Sequence, residues 1–279
     1  MKSLCIKTND SNILNYLLNE LKNSEMKEIC FSENKFKNYK NIIVHYIGDN
    51  VEEFLSQMSY IMCFMIIDIE EEEILKQKLN QNYFYFDSKE REEILAICFN
   101  IMADEFPEEF DRKFKILYNN FYKYMETNKS FVLSGFINFR LKEYIDILET
   151  VLSNAVNTFV IEKEYLEFIS LLQLYINSQP CGCNVIHIVY SKSKAELFDE
   201  NKNLIVIPDE IFKAKYLSDI TFSANDYALN TLLNLLPKKI YVHLVDNYSD
   251  EFINTLQLVF EGRVEILPEG TYIFGKKLP

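Results

Sequence analysis

From Phe131 to Gln179 the chain reads FVLSGFINFRLKEYIDILETVLSNAVNTFVIEKEYLEFISLLQLYINSQ, with no helix breaker after Gly135 until Pro180. Apolar residues recur at helical spacing, Phe136, Tyr144, Ile147, Val151 and Ala155 among them, and Asn138, Lys142, Asp146, Glu149, Ser153 and Asn157 form a polar strip opposite. The pattern predicts a core helix, or two in series with a bend near Thr158 to Ile161, started by a Ser130 cap. One residue breaks it. At about 100° per residue, Arg140 falls roughly 160° from Lys142, near the centre of the apolar face. A guanidinium held there needs a partner.

The segments on either side have other periods. Leu4 to Lys7 reads as a strand, Asp10 or Ser11 caps a helix carrying Ile13, Leu14, Leu17, Leu18 and Leu21, and Ile29 to Ser32 and Ile42 to Ile47 read as strands. Val51 opens a helical region that runs, with or without a break, to Leu79. From Asp87 the pattern is wholly helical. Asp87 with Glu90 matches a capping box, and a buried stripe from Ile94 continues to Ala103. Pro107 suits a first helical turn, Glu108 and Glu109 suit the positive end of its dipole, and Phe114, Leu117, Tyr118, Phe121, Tyr122 and Met125 carry the next helix.

Beyond Pro180, Asn184 to Tyr190 and Leu204 to Ile207 read as strands. Ser223 with Asp226 starts a helix to Leu236, Ile240 to Val245 is a strand, Ser249 to Phe260 a helix, and Val264 to Leu267 and Tyr272 to Phe274 are closing strands. The expected class is therefore α+β (mixed α/β): a central all-helical block, 87–179, flanked by two small α/β layers, 1–86 and 180–279. A weak echo links the flanks. Ile42, Val44, His45, Ile47, Glu53, Phe54 and Leu55 align with Ile240, Val242, His243, Val245, Glu251, Phe252 and Ile253, which fits either a duplicated unit or generic strand-helix patterning.

Composition narrows the function classes. A chain of 279 residues, 48% hydrophobic and 25% charged, has room for a sizeable core. A formal charge of −13 disfavours a broad nucleic-acid surface, which leaves only the lysines near Lys35, Lys37 and Lys40 as a basic patch. The apolar run before Asn9 is too short for a signal peptide, and Ile61 to Ile67 is far short of the roughly 20 residues that span a bilayer. A cytoplasmic protein without membrane insertion is expected. Cys5, Cys30, Cys63 and Cys98 are scattered among apolar neighbours, as in a reduced intracellular protein.

Candidate chemistry is sparse. No phosphate-cradling glycine loop, nucleophile elbow or zinc-protease motif occurs. Cys181-Gly182-Cys183, with His187 four residues on and His243 on a later strand that could lie beside it, lacks the second cysteine pair of a zinc site; a plain connector is the simplest reading, ahead of a metal site or a labile redox pair, and neither metal nor cofactor is expected. His45, His187 and His243 sit mid-strand, where a satisfied sheet histidine is the simplest reading. The acidic run Asp68 to Glu73 reads as a solvated face with Glu72 and Lys76 in i,i+4 register. Arg140 is the sharpest site. It is either in a structural ion pair, with Glu143 or with Glu162 or Glu164 if the helix folds back, or a fork for a carboxylate or phosphate. In the latter case His243 or a carboxylate near Asp246, Asn247 and Leu267, beyond the carboxyl ends of the tail strands, would be its acid/base partner.

The segments Gly135-Phe136-Ile137-Asn138-Phe139-Arg140-Leu141-Lys142-Glu143-Tyr144 and Val160 to Leu172 (VIEKEYLEFISLL) resemble the YtxC-like family of sporulation-associated proteins of endospore-forming Firmicutes. The resemblance implies a cytoplasmic bacterial protein, places Arg140 within the family's recognisable motif, and brings no reaction, cofactor or catalytic residue with it. Together these features point to a non-enzymatic factor working through an unknown protein partner in sporulation. The alternative is a binding or enzymatic domain for a small anionic ligand held by Arg140.

Overall fold

The structure, a computed structural model, describes residues 1–24, 26, 28–36, 39–104, 107–205, 223–245 and 249–267. Among these the chain is α+β, and it divides into two compact units, Met1–Ile161 and Glu162–Pro279.

The first unit opens with β1 (Lys2–Thr8), α1 (Ser11–Asn23), β2 (Ile29–Phe36) and β3 (Tyr39–Tyr46). Asp10 caps α1, accepting from the Asn12 and Ile13 backbone N–H groups at 2.6 and 3.4 Å. Then follow α2 (Val51–Met65), a π-helical turn (Ile66–Glu70), α3 (Glu71–Asn82), α4 (Ser88–Ala103) and α5 (Pro107–Thr127). The Asp87–Glu90 capping box forms, with both hydrogen bonds at 2.9 Å. Glu72 and Lys76 pair at 2.6 Å in the expected register.

Three differences from the sequence pattern follow. Ser130 caps nothing; Ser130–Val132 is a short strand, β4, that pairs in parallel with β1 and completes a sheet of order β2-β3-β1-β4. The helix after it, α6 (Leu133–Arg140), stops at Leu141, whose φ of −97° and ψ of 29° break the helical path. The next, α7 (Lys142–Ser178), then runs unbroken through Thr158 to Ile161, where one of the two alternatives put a bend. Leu141 is fully buried, so the break turns it inward and resets the helical phase between Arg140 and Lys142. Arg140 is accordingly exposed, not central to an apolar face.

One core serves the whole first unit. Leu4, Ile6, Ile42 and Val44 from the sheet join Leu17, Phe54, Met62, Leu117, Phe121, Leu148 and Leu152 from the helices. Within it the Phe121 and Phe136 rings stack with centroids 4.5 Å apart, and Phe131 is tilted against both.

The second unit holds the rest of α7, then β5 (Cys183–Ser191), β6 (Lys194–Phe198), α8 (Ala224–Leu235), β7 (Pro237–Leu244), α9 (Glu251–Val259) and β8 (Val264–Leu267). Its sheet order is β6-β5-β7-β8, antiparallel at β5–β6 and parallel at β5–β7 and β7–β8. The Ser223–Asp226 capping box starts α8 as the sequence predicts. Leu204 makes only an isolated bridge to Phe198, and Ile207 and the Tyr272 to Phe274 strand lie outside the described residues. The echo between β3 and β7 is not matched in topology: β3 is antiparallel to both neighbours, β7 parallel to both.

Candidate functional site

The sequence places Lys113 four residues before Leu117, on the stripe Leu117, Phe121, Met125 that α5 buries. Lys113 is only 7% exposed. Its partner comes from the acidic run. In α2 every third or fourth residue faces the core, through Met62, Met65 and Ile66, and an undisturbed helix would next bury Ile69 or Glu70. The π turn adds a residue, with the Glu71 N–H donating to the Ile66 carbonyl, and so delivers Glu71 to the core while Asp68, Glu72 and Glu73 stay in water. Tyr144, fully buried near the start of α7, donates its hydroxyl to Glu71 Oε2 at 2.9 Å, and Lys113 Nζ lies 3.9 Å from Glu71 Oε1. The solvated-face reading of the acidic run holds for Glu72 and Glu73 and fails for Glu71.

Two open cavities of about 600 and 650 Å3, the smaller lined in part by Ile101, Ile147 and Val151, flank α5 and share Arg112 and Glu143. The smaller reaches Lys113, and its charged lining is Asp104, Glu109, Glu143 and Asp146 against Arg112 and Lys113. A net-acidic lining of this kind repels anions.

Arg140 lines neither cavity. Its guanidinium lies 5.9 Å from the Tyr124 ring centroid, a cation–π contact on the surface. Among the described residues it forms no ion pair with Glu143. Because α7 has no break, the fold-back on which pairing with Glu162 or Glu164 depended is absent.

His243 lies beside His187. On the outer face of the second sheet, His187 Nδ1 lies 3.2 Å from His243 Nε2, and the His187 ring stacks on Tyr241 at 5.4 Å. Burial first, then the Lys202 charge for His187 and the His187 charge for His243, lowers both imidazoles below the ordinary histidine value. Each is thereby biased toward its neutral form. Asp246 and Asn247, proposed as neighbours of a ligand here, lie outside the described residues. At the carboxyl end of β5 on the opposite face, the Tyr190 hydroxyl donates to the Asp250 carboxylate, which also caps α9. Burial and that carboxylate push Tyr190 up to about 12. Among the described residues, no group of three or more His, Cys, Asp or Glu side chains is placed to hold a metal ion.

The largest departure from ordinary surface chemistry is on α7. Up to Phe159 the helix buries Tyr144, Leu148, Val151, Leu152, Ala155, Val156 and Phe159. From Ile161 to Ser178 it buries only Ile169 and Ile176, which join the core of the second unit. The side chains at Phe168, Leu171, Leu174 and Tyr175 are left in water, Leu171 at 65% and Leu174 at 68% exposure. So many large apolar side chains left in water on one helix depart from an ordinary protein surface. Sequence reading missed it because an apolar arc this wide on a helix reads as core.

A model of the YtxC-like family matches residues 56–265, which is more than half of the chain and includes Glu71, Lys113, Tyr144, both paired histidines and all of α7. The chain belongs to the YtxC-like family. The "Uncharacterized protein YtxC" of Bacillus subtilis (strain 168) is 24% identical over 221 residues, covering 76% of this chain and 76% of that protein. No solved structure matches. As a YtxC-like protein the chain has no helix, among the described residues, long and apolar enough to cross a membrane.

Proposed function

We propose that this YtxC-like protein is a non-enzymatic factor that works by holding a protein partner on the exposed apolar face of α7, and that it does so in sporulating cells. The single observation behind this reading is the solvent exposure of Phe168, Leu171, Leu174 and Tyr175 on one helix. Exposed Glu164 and Glu167 lie along the apolar strip, with Lys163 beside them. The partner is accordingly an apolar helical segment flanked by lysine or arginine. A second copy of this chain would set these carboxylates against their equivalents, on a molecule whose formal charge is already −13. Sporulation rests on the family resemblance alone. The alternative, a small anionic ligand on Arg140, gains nothing from the cavities, whose linings omit Arg140.

The test is a chain carrying Leu171→Asp and Leu174→Asp, returned to an endospore-forming host that lacks its own copy. Spore yield falls as far as in the deletion while circular dichroism and melting of the purified variant match the parent. Full spore yield with the variant would overturn the reading.

A further inference from the structure

The turn Cys181-Gly182-Cys183 joins α7 to β5 and plays no part in the reading above. Arg263 organises it. The guanidinium donates from Nη1 to the Pro237 carbonyl at 3.1 Å and from Nη2 to the Ile176 carbonyl at 3.4 Å and Asn177 Oδ1 at 3.3 Å. Its Nη1 also donates to the sulfur of Cys181 at 3.7 Å. The turn is pressed against the end of α8: the Gly182 N–H donates to the Leu236 carbonyl at 3.1 Å, and a Cβ at position 182 would stand 2.6 Å from the Leu235 carbonyl oxygen. Only glycine fits.

This fixed backbone carries two thiols. Cys181 is exposed, and Cys183 is half-buried at the start of β5, opposite Pro237. Cα atoms two residues apart are separated by at most about 7 Å, and the chain bends at Gly182 between the two cysteines. Burial first, then a charge at Cys181, raises the Cys183 thiol above its ordinary value. The other described cysteines have no such partner. Cys63 and Cys98 are buried, and Cys30, although exposed on β2, is separated from Cys5 on β1 by the whole of β3.

We propose that Cys181 and Cys183 form a reversible dithiol–disulfide pair, in which exposed Cys181 meets the oxidant and Cys183 closes the bridge. With a hydroperoxide as oxidant, the Cys181 thiolate attacks the terminal peroxide oxygen and the O–O bond breaks. Cys181 becomes a sulfenic acid, and the remaining oxygen leaves as hydroxide or alkoxide and takes up a proton. The Cys183 thiolate then displaces the sulfenic oxygen, the S–S bond forms, and water leaves. Two electrons pass from the pair to the peroxide. A small dithiol returns both sulfurs to thiols by exchange.

The experiment uses the full reduced chain with hydrogen peroxide, alkylation of the remaining thiols at timed intervals, and peptide mass mapping. Exposed Cys30 is the control within the molecule. The peptide holding Cys181 and Cys183 loses two hydrogens and both alkylation sites, on the order of tenfold faster than Cys30 is modified. Dithiothreitol restores it. In Cys183→Ser, Cys181 is instead trapped as a sulfenic acid by dimedone. Oxidation of Cys181 no faster than Cys30, or a bridge found only between chains, would overturn the proposal. Neither result depends on a variant that disturbs the Arg263 contacts.

Discussion

The two halves of α7 have similar apolar content and opposite surroundings. Its first half gives Tyr144, Leu148, Leu152 and Ala155 to the core of the first unit, and its second half gives only Ile169 and Ile176 to the other core while Phe168, Leu171, Leu174 and Tyr175 face water. Hydrophobicity alone therefore does not tell which half of this helix is core. What separates the halves is whether the apolar side chains already have neighbours, and the half without them is where a partner has most to gain, at roughly 25 cal/mol per Å2 of apolar surface covered.

The comparison is sharpest at the buried end. Glu71→Ala leaves the Lys113 ammonium in the core without the carboxylate beside it, and should cost about 3–5 kcal/mol in urea unfolding. Glu71→Leu with Lys113→Met removes both charges and should recover most of that loss. Leu148→Ala, in the first half of α7, should cost about 2–5 kcal/mol by opening a cavity. Leu171→Asp, less than seven turns further on, should change stability by no more than about 0.5 kcal/mol. Equal costs at Leu148 and Leu171 would break the comparison outright.

Smaller effects are expected elsewhere. Because His187 and His243 bind protons less readily when folded, the unfolded chain takes up more protons as pH falls below the ordinary histidine value of 6.5. Their contribution is complete above that value and lost as pH falls through and below it. The melting temperature should therefore drop between pH 7 and pH 5.5, and drop less in His187→Gln with His243→Gln. Arg140→Met should cost under about 1 kcal/mol, since it removes one exposed cation–π contact.

Much of the fold was legible from sequence where the signal is local. The boxes at Asp87–Glu90 and Ser223–Asp226 and the Asp10 cap are contacts over two or three residues, and each forms as the side-chain chemistry dictates. The misreadings come from long-range packing. Ser130 joins a strand because β1, far away in sequence, offers an edge, and the helix stops at Leu141 to bury that side chain. A helical wheel drawn across the break put Arg140 inside. The same wheel logic applied to α5 would have found Lys113, which does lie on a buried stripe. Glu71 was hidden by the π turn, which shifts the phase of its helix without any breaker residue between Ile66 and Glu70.

The most direct test of the claim that the second half of α7 holds a partner is a photo-crosslinking residue at Leu171, compared with one at exposed Lys115 on α5, in sporulating cells. The account predicts a discrete product at position 171 only, joined to a protein segment whose apolar helical face is flanked by lysine or arginine. Crosslinks at 171 to a second copy of this chain alone, or the same products from both positions, would contradict it.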